Sequence, residues 1–332
     1  MPTLREIATA SGLSLSTISR VVLGRGDVSD TTRDRVRTLL KEYGYPDERP
    51  TRRRGRPARQ ARPAFVGVVC PSHAFVRRNP FFAPLLSATL NALDALTCRA
   101  VPFDWPVDSE SMPPGLESVS GAILMCASEA QVKAAAARFP SVTLDNYFVG
   151  SGADGVVPDY RSGAFLATRH LIERGHRRIT VMSATRGTGE EYSEQFYDGA
   201  RRALDQAGIE AWEGFFAGKA YDAEGGYQVA LRLLARPEAE RPTALMGNDH
   251  ALLGALRAAQ DSGLNVPRDV ALLGMDDIEL GRFSVPRLST AKVDKDLMGR
   301  MAVERLLWRI AHPQSAPCRL MTECPLVLRD SC

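Results

Sequence analysis

Between Ser14 and Arg20 the chain places four hydroxyls (Ser14, Ser16, Thr17, Ser19) and one guanidinium (Arg20) beside a single leucine, Leu15. Hydroxyls grip phosphate oxygens, and an arginine fork matches the O6 and N7 acceptors of guanine. Leucine offers an apolar end that packs on a thymine methyl. The chemistry available is therefore recognition of a polyanion with patterned edges, not bond-making. Ile18, Val21 and Val22 in the same stretch fall at helical spacing. Turned inward, they leave Leu15, Ser16, Ser19 and Arg20 on the outer side.

The element carrying these residues is a short helix that begins at Ser14. Before it, Thr3 and Glu6 form a capping box for a first helix built on Leu4, Ile7 and Ala8. Gly12, in the turn Ala10-Ser11-Gly12-Leu13, suits a left-handed backbone. A third helix, capped by Ser29, buries Val36, Leu39 and Leu40. This is the helix-turn-helix pattern, although a plain three-helix bundle with a solvated polar face has the same outline. Charge separates the two. Residues 1–62 hold 14 Lys+Arg against 7 Asp+Glu, whereas the remainder holds 28 against 32. A basic head on an acidic body is the footprint of a nucleic-acid binder.

The segments SLSTISRVV, GDVSDTTRDRV and LKEYGY resemble the headpiece of the LacI/GalR family of bacterial transcriptional regulators. The resemblance implies that Leu15, Ser16 and Arg20 read operator bases. It places Leu4, Ser14, Thr17, Ser19, Ser29, Thr32 and Tyr45 where the family grips or buttresses the DNA backbone. Leu23 stands where the family usually has an Asn, removing one polar contact. The family also has an apolar hinge helix after the headpiece, and here residues 47–63 read DERPTRRRGRPARQARP. Pro50, Pro57, Pro63 and Gly55 argue against a helix. In its place Arg53-Arg54-Gly55-Arg56-Pro57 resembles an AT-hook, whose arginines enter a narrow A·T-rich minor groove. A disordered basic tether making only phosphate contacts is the alternative.

From Ala64 onward apolar runs alternate with helical stretches. Phe65–Cys70, Gly121–Met125, Ser141–Leu144, Ile179–Met182, Ala244–Met246 and Val270–Gly274 read as buried parallel strands. Between them the pattern predicts helices over Phe82–Leu96, Tyr160–Arg174, Gln195–Ala207 and Gly225–Leu234. The order indicates α/β layering, and the body is long enough for two lobes. NPFFAPLL, DYRSGAFLATRHLIERGHRRI, PTALMGNDHALLGALRAAQDSGLNVPRDVALLGMDDIEL and PLVLRDSC are similar to family segments. The implied fold is an all-α three-helix headpiece followed by a two-lobed α/β core of the periplasmic-binding-protein-like type I. The expected division is a headpiece at 1–46, a basic AT-hook-like linker at 47–63, one lobe from 64–157 with 290–318, and the other from 158–289 with 319–332.

That resemblance implies a small effector between the lobes, carbohydrate-like in chemistry. Asp145, Asn248 and Asp276 occupy its hydrogen-bonding positions, and Tyr221 the place of a ring that packs on a sugar face. Asn79, Phe81 and Phe82 begin a helix at the cleft mouth. Asn and Asp at strand ends also serve as turn formers and helix caps, the role expected of Asp249 and Asp277. Sugar-binding members usually carry an Arg three residues before the glycine matching Gly199. Here Phe196 holds that effector position, which leaves three readings open: a more apolar effector, Arg186 or Gln195 as substitutes, or a site that has lost its ligand. Residues 104–120 are short and proline-containing, so the helix expected there is truncated.

Other signals carry less. Gly187-Thr188-Gly189 lacks the full dinucleotide-loop spacing, since Tyr192 holds the third glycine position. Asp276-Asp277 are adjacent on a strand and point oppositely. His73, His170, His176, His250 and His312 lack metal-binding spacing with Cys, so neither metal nor cofactor is expected. The 6 cysteines form no C-x-x-C pair and read as buried free thiols of a reducing cytoplasm. No apolar run suggests secretion or reaches membrane-spanning length. The expectation is a cytoplasmic, nucleoid-associated homodimeric regulator, a repressor in sign and not an enzyme, which binds a near-palindromic operator in double-stranded DNA. The alternative is a solute-binding protein or sugar-processing enzyme on the same core fold.

Overall fold

Four apolar side chains organise the first of the chain's two compact units, which lies within residues 1–62. Ile7, Ile18 and Val36 are fully buried and Leu40 is 3% exposed. They fasten together α1 (Leu4–Ser11), α2 (Leu15–Val22) and α3 (Asp30–Glu42) in a computed structural model that describes residues 4–22, 28–43, 64–182, 191–218 and 220–332. Gly12 joins α1 to α2 at φ +67°, a conformation that costs an L side chain roughly 1–2 kcal/mol. Ser14 caps α2, its Oγ accepting from the Thr17 N–H at 3.0 Å. Ser29 precedes α3 as expected, yet its hydroxyl pairs with Thr32 Oγ1 at 2.8 Å and makes no cap to the backbone. Val21, Val22 and Leu39 are only half-buried, because three short helices enclose little volume.

The second unit lies within residues 63–332. Its first half runs β1 (Phe65–Cys70), α4 (His73–Arg78), α5 (Phe82–Ala95), β2 (Arg99–Asp104), β3 (Gly121–Met125), α6 (Glu129–Ala136), β4 (Ser141–Leu144) and β5 (Asp154–Pro158). Then follow α7 (Tyr160–Glu173), β6 (Ile179–Val181), α8 (Glu191–Gln206), α9 (Ala223–Leu234), β7 (Ala244–Asn248), α10 (Asp249–Asp261) and β8 (Ala271–Asp276). The chain ends with α11 (Glu279–Phe283), β9 (Ser289–Lys292), α12 (Lys295–Ala311), β10 (Arg319–Thr322) and β11 (Leu326–Val327).

These strands form two sheets. The first, in the order β10-β5-β4-β3-β1-β2, is parallel throughout. The second, β11-β9-β8-β7-β6, is parallel except for β11. β3, β4, β7 and β8 are buried along their whole length, as strands covered by helices on both faces must be. β2 was not anticipated, because RAVPFD mixes charge and proline. It pairs only with β1, and a sheet edge tolerates the missing N–H of Pro102. The segment 104–120 carries one 3₁₀ turn, Leu116–Ser118.

Sheet membership departs from the expected lobe boundaries. β9 belongs to the second sheet, so residues 290–292 are not in the first lobe. β10 pairs with β5 in the first sheet, so residues 319–322 are not in the second. The chain thus passes between sheets three times: after β5, after β9, and between β10 and β11. Backbone bonds from Asp159 N to Thr322 O and from Lys292 N to Pro325 O, both 2.8 Å, tie these crossings together.

Close packing fixes the layers. α9 and α10 touch through Gly226 and Gly254: a Cβ on Gly254 would lie 1.8 Å from the Ala223 carbonyl oxygen, and one on Gly226 1.9 Å from that of Ala251. On the first sheet, α12 is anchored by a buried carboxylate. Asp154, fully buried, pairs with Arg305 Nε at 3.1 Å and accepts the Cys318 N–H at 2.6 Å. Arg309 Nη1 stands 3.6 Å from the same carboxylate, and leaving that charge without both arginines would cost about 3–5 kcal/mol.

Candidate functional site

Burial of Ile18 orients α2. Leu15, Ser16 and Arg20 are exposed, with Thr17 and Ser19 half-buried beside them. Ser14 Oγ lies 2.8 Å from both Ser16 Oγ and Thr17 Oγ1, a row of hydroxyls at the helix start. Backbone N–H groups and hydroxyls there suit an anion. Exposed Ser29 and half-buried Thr32 form a second hydroxyl pair at the start of α3. Leu4 opens α1, but its side chain, Tyr45, Leu23 and the segment Arg53–Pro57 containing Arg54, Gly55 and Arg56 lie outside the described residues.

In the second unit, a cavity of about 470 Å³ opens at the carboxyl ends of both sheets, where ligands of open α/β folds bind. Asp145 follows β4, while Asn248 and Asp276 end β7 and β8. All three line the cavity, as do Phe82 and Tyr221. Cys126, Asp145 and Asp276 hold positive φ values of 53°, 71° and 118°. Strained backbone of this kind persists where surrounding structure over-determines it, commonly at binding sites.

Eight aromatic rings surround this polar rim, among them Phe75, Phe81, Tyr147, Tyr160 and Tyr192. Tyr160 donates its hydroxyl to Asp145 Oδ1, and its ring meets Tyr192 edge-on at 4.7 Å. Burial, with Asp145 alongside, holds the Tyr160 phenol well above its ordinary value. Asn248 divides its amide: Oδ1 caps α10 by accepting from Ala251 N at 2.8 Å, and Nδ2 points toward the Ala220 carbonyl at 3.5 Å. The capping and lining roles weighed from sequence therefore coexist in one side chain. Burial, then the charge of Asp249, raises the Asp276 carboxyl well above the carboxylate range. Lys295 donates to the Asp276 backbone carbonyl and sits 5.2 Å from the centre of the Phe81 ring.

Asp249 and Asp277 hold the loop beneath. Asp249 accepts from Thr290 Oγ1 at 2.7 Å and from Ile278 N at 2.9 Å, and burial lifts its carboxyl to about 7. Asp277 bonds Arg329 at 2.5 Å and Arg282 at 2.8 Å. Burial opposes its charge, yet the two arginines keep its carboxyl below the ordinary value.

One site residue moves. Phe196 is fully buried in the core and does not line the cavity. One turn earlier on α8, Tyr192 takes the wall position and packs on Phe196 at 5.7 Å between ring centres. Counting back from Gly199 found the correct helix but stopped one turn short of the wall, at a core position. Gln195 is also buried away from the wall, and Arg186 lies outside the described residues. Tyr160 and Tyr147 were not anticipated, though both are aromatic residues close in sequence to Asp145. Of the six thiols only Cys70 and Cys324 are buried, a correction to the expectation for all six. On the wall, burial pushes the Cys126 thiol well above its ordinary value. No helix among the described residues is long and apolar enough to cross a membrane.

Rings that cover an apolar face, with carboxyl and amide groups at their edge, suit a compact polyhydroxylated molecule. Residues 3–47 match the family model described as bacterial regulatory proteins, lacI family, and residues 168–332 that of the periplasmic binding protein-like domain. The ribose operon repressor of Haemophilus influenzae is 30% identical over 340 residues, spanning 100% of this chain and 98% of that protein. Among solved structures, a complex of the transcriptional regulator CelR with cellobiose superposes with a TM-score of 0.72 at 28% identity, covering 100% of both chains. The lac repressor dimer bound to operator and the anti-inducer ONPF gives 0.67 at 25% identity, over 99% of this chain and 98% of that one.

Proposed function

This chain belongs to the lacI family of bacterial regulatory proteins, and from that premise we propose that it represses transcription from an operator and releases or tightens on a carbohydrate held in the ring-walled cavity. The observation that carries the effector reading is the convergence of Asp145, Asn248 and Asp276 on one cavity walled by eight aromatic rings. Its volume falls within the roughly 300–1,000 Å³ usual for small-molecule sites. The carboxyl groups of Asp145 and Asp276 accept from hydroxyls, which suits a neutral polyol better than an anion.

On the DNA side, Arg20, Leu15 and Ser16 read base edges, while Ser14, Thr17, Ser19, Ser29 and Thr32 hold the backbone. Leu4 and Tyr45 complete that set, and Arg54, Gly55, Arg56 and Pro57 add a minor-groove contact. Two copies face a near-palindrome. The apolar segment around α11, with Phe283 77% and Val285 79% exposed, supplies a surface for the second copy, in keeping with the dimeric lac repressor structure. The body is divided into two lobes, the first sheet with α12 and the second sheet with α7 to α11. The protein acts in the cytoplasm and binds its effector without converting it.

The test is a gel shift on its operator, selected from random duplexes, with and without sugars found by thermal-shift screening. Binding that weakens steeply with salt and changes at least tenfold with one sugar is the expected result. Salt-independent binding, or none, overturns the DNA assignment. Operator affinity indifferent to every sugar that stabilises the protein overturns the effector assignment.

A further inference from the structure

A second cluster lies at the sheet edge, apart from the residues that line the cavity. β1 and β2 are paired so that Cys70 faces Asp104 in register, each the last residue of its strand. The turn from β1 into α4 then brings His73 over both. His73 Nδ1 lies 2.6 Å from Asp104 Oδ1, which also accepts the His73 backbone N–H at 2.8 Å. One donor atom from each of Cys70, His73 and Asp104 lies within 4.8 Å of the others. Sequence spacing could not show this, because Asp104 is 31 residues beyond His73 and reaches it only through strand pairing.

We propose that Cys70, His73 and Asp104 form a binding site for a thiophilic divalent cation of the zinc class, with water as the fourth ligand. A sulfur, an imidazole nitrogen and a carboxylate oxygen are the donors such ions take, with bonds of about 2.0–2.3 Å. Tetrahedral geometry then separates the donor atoms by about 3.3–3.7 Å. The imidazole–carboxylate contact therefore opens by less than about an ångström and the thiol turns in, movements within side-chain torsions. The Asp104 side chain is more than half exposed, which gives the ion an entry path and room for its water.

The sulfur donor selects among cations. A hard ion such as magnesium prefers an all-oxygen shell and gains little from it. A zinc-class ion takes it as thiolate, the thiol proton passing to water as the sulfur–metal bond forms. The ion would clamp the ends of β1 and β2 to the start of α4, whose Phe75 lines the cavity.

The experiment titrates the full-length reduced protein with cobalt(II), whose thiolate charge-transfer band reports a sulfur ligand. A band saturating at one cobalt per chain and erased by zinc is expected. Cys70→Ala should abolish the band, and His73→Ala and Asp104→Asn should weaken binding at least tenfold, while Cys98→Ala leaves it unchanged. Thermal melts identify folded variants, and Cys70→Ser serves where Cys70→Ala unfolds. Arg77 adds positive charge beside the Asp104 carboxylate, so Arg77→Ala should tighten cobalt binding. No charge-transfer band, or one that survives in folded Cys70 and His73 variants, overturns the proposal and leaves Asp104 and His73 as a hydrogen-bonded pair at the start of α4.

Discussion

Substituting Asn248 separates two jobs that one amide performs. Its Oδ1 holds the Ala251 N–H at the buried start of α10, a helix of 13 residues, while the residue also lines the cavity, its Nδ2 directed to the Ala220 carbonyl and proposed to reach the effector. Asn248→Ala removes the cap, worth about 1 kcal/mol, and strands a buried donor whose desolvation raises the loss toward about 2 kcal/mol. For a unit of this size, roughly 2–4 °C per kcal/mol predicts a melting temperature lower by about 2–8 °C. Removing Nδ2 costs a neutral hydrogen bond to the effector, about 0.5–1.5 kcal/mol, or roughly a 2- to 12-fold weaker Kd. Asn248→Ser separates the terms. Its hydroxyl restores the cap, returning the melting temperature to within about 1 °C of wild type, but it does not reach the ligand. Differential scanning fluorimetry and calorimetric titration with the selected sugar measure the two quantities. A serine variant with full sugar affinity, or an alanine variant with an unchanged melting temperature, would refute this division of labour.

Arg20→Ala is expected to cost about 1–3 kcal/mol of specific operator binding, read by competition against random DNA; unaltered discrimination would remove Arg20 from the reading face. Gly254→Ala forces a methyl against the Ala223 carbonyl and should destabilise the body by about 3 kcal/mol or more in urea denaturation. A near-neutral result would mean that the α9–α10 contact yields easily. Asp249, raised to about 7, keeps a proton in the folded chain that the unfolded chain has already lost. Its contribution to stability is therefore present at low pH and lost as pH climbs from about 4 to about 7, by up to ~1.4 kcal/mol per unit. Asp249→Asn should gain on wild type across that window, and parallel pH profiles would contradict the assignment. Phe283→Asp should convert the dimer to monomer in sedimentation and weaken operator binding, whereas an intact dimer would place the interface elsewhere.

How much was legible in the chain varied with local physics. GAILM and VALLG read as strands because sheets covered on both faces demand unbroken apolar runs, the second extending in the structure to Asp276. RAVPFD and RLMT did not, because edge strands satisfy only one side and keep charge and proline. The crossings at 293 and 323 eluded the pattern for the same reason: short strands with mixed faces mark no boundary. Asp145, Asn248, Asp276 and Tyr221 were readable only through resemblance, since strand-end position alone reads Asn248 and Asp276 as caps or turn formers. Tyr192 displaced Phe196 because wall or core on one amphipathic helix depends on a single turn, which hydrophobicity does not resolve when both residues are aromatic. The meeting of Cys70, His73 and Asp104 depends on strand register, which spacing along the chain does not encode.

The three passages between sheets have a mechanical corollary. Since Asp159 is bonded to Thr322 and Lys292 to Pro325, the passages are laced into one band and do not behave as independent tethers. A single tether would let the halves swivel freely, whereas a laced band resists torsion and leaves mainly one easy axis, opening and shutting. A sugar that bridges the two sheets would then do work along that axis alone, with little of its binding energy dissipated in unproductive rotations.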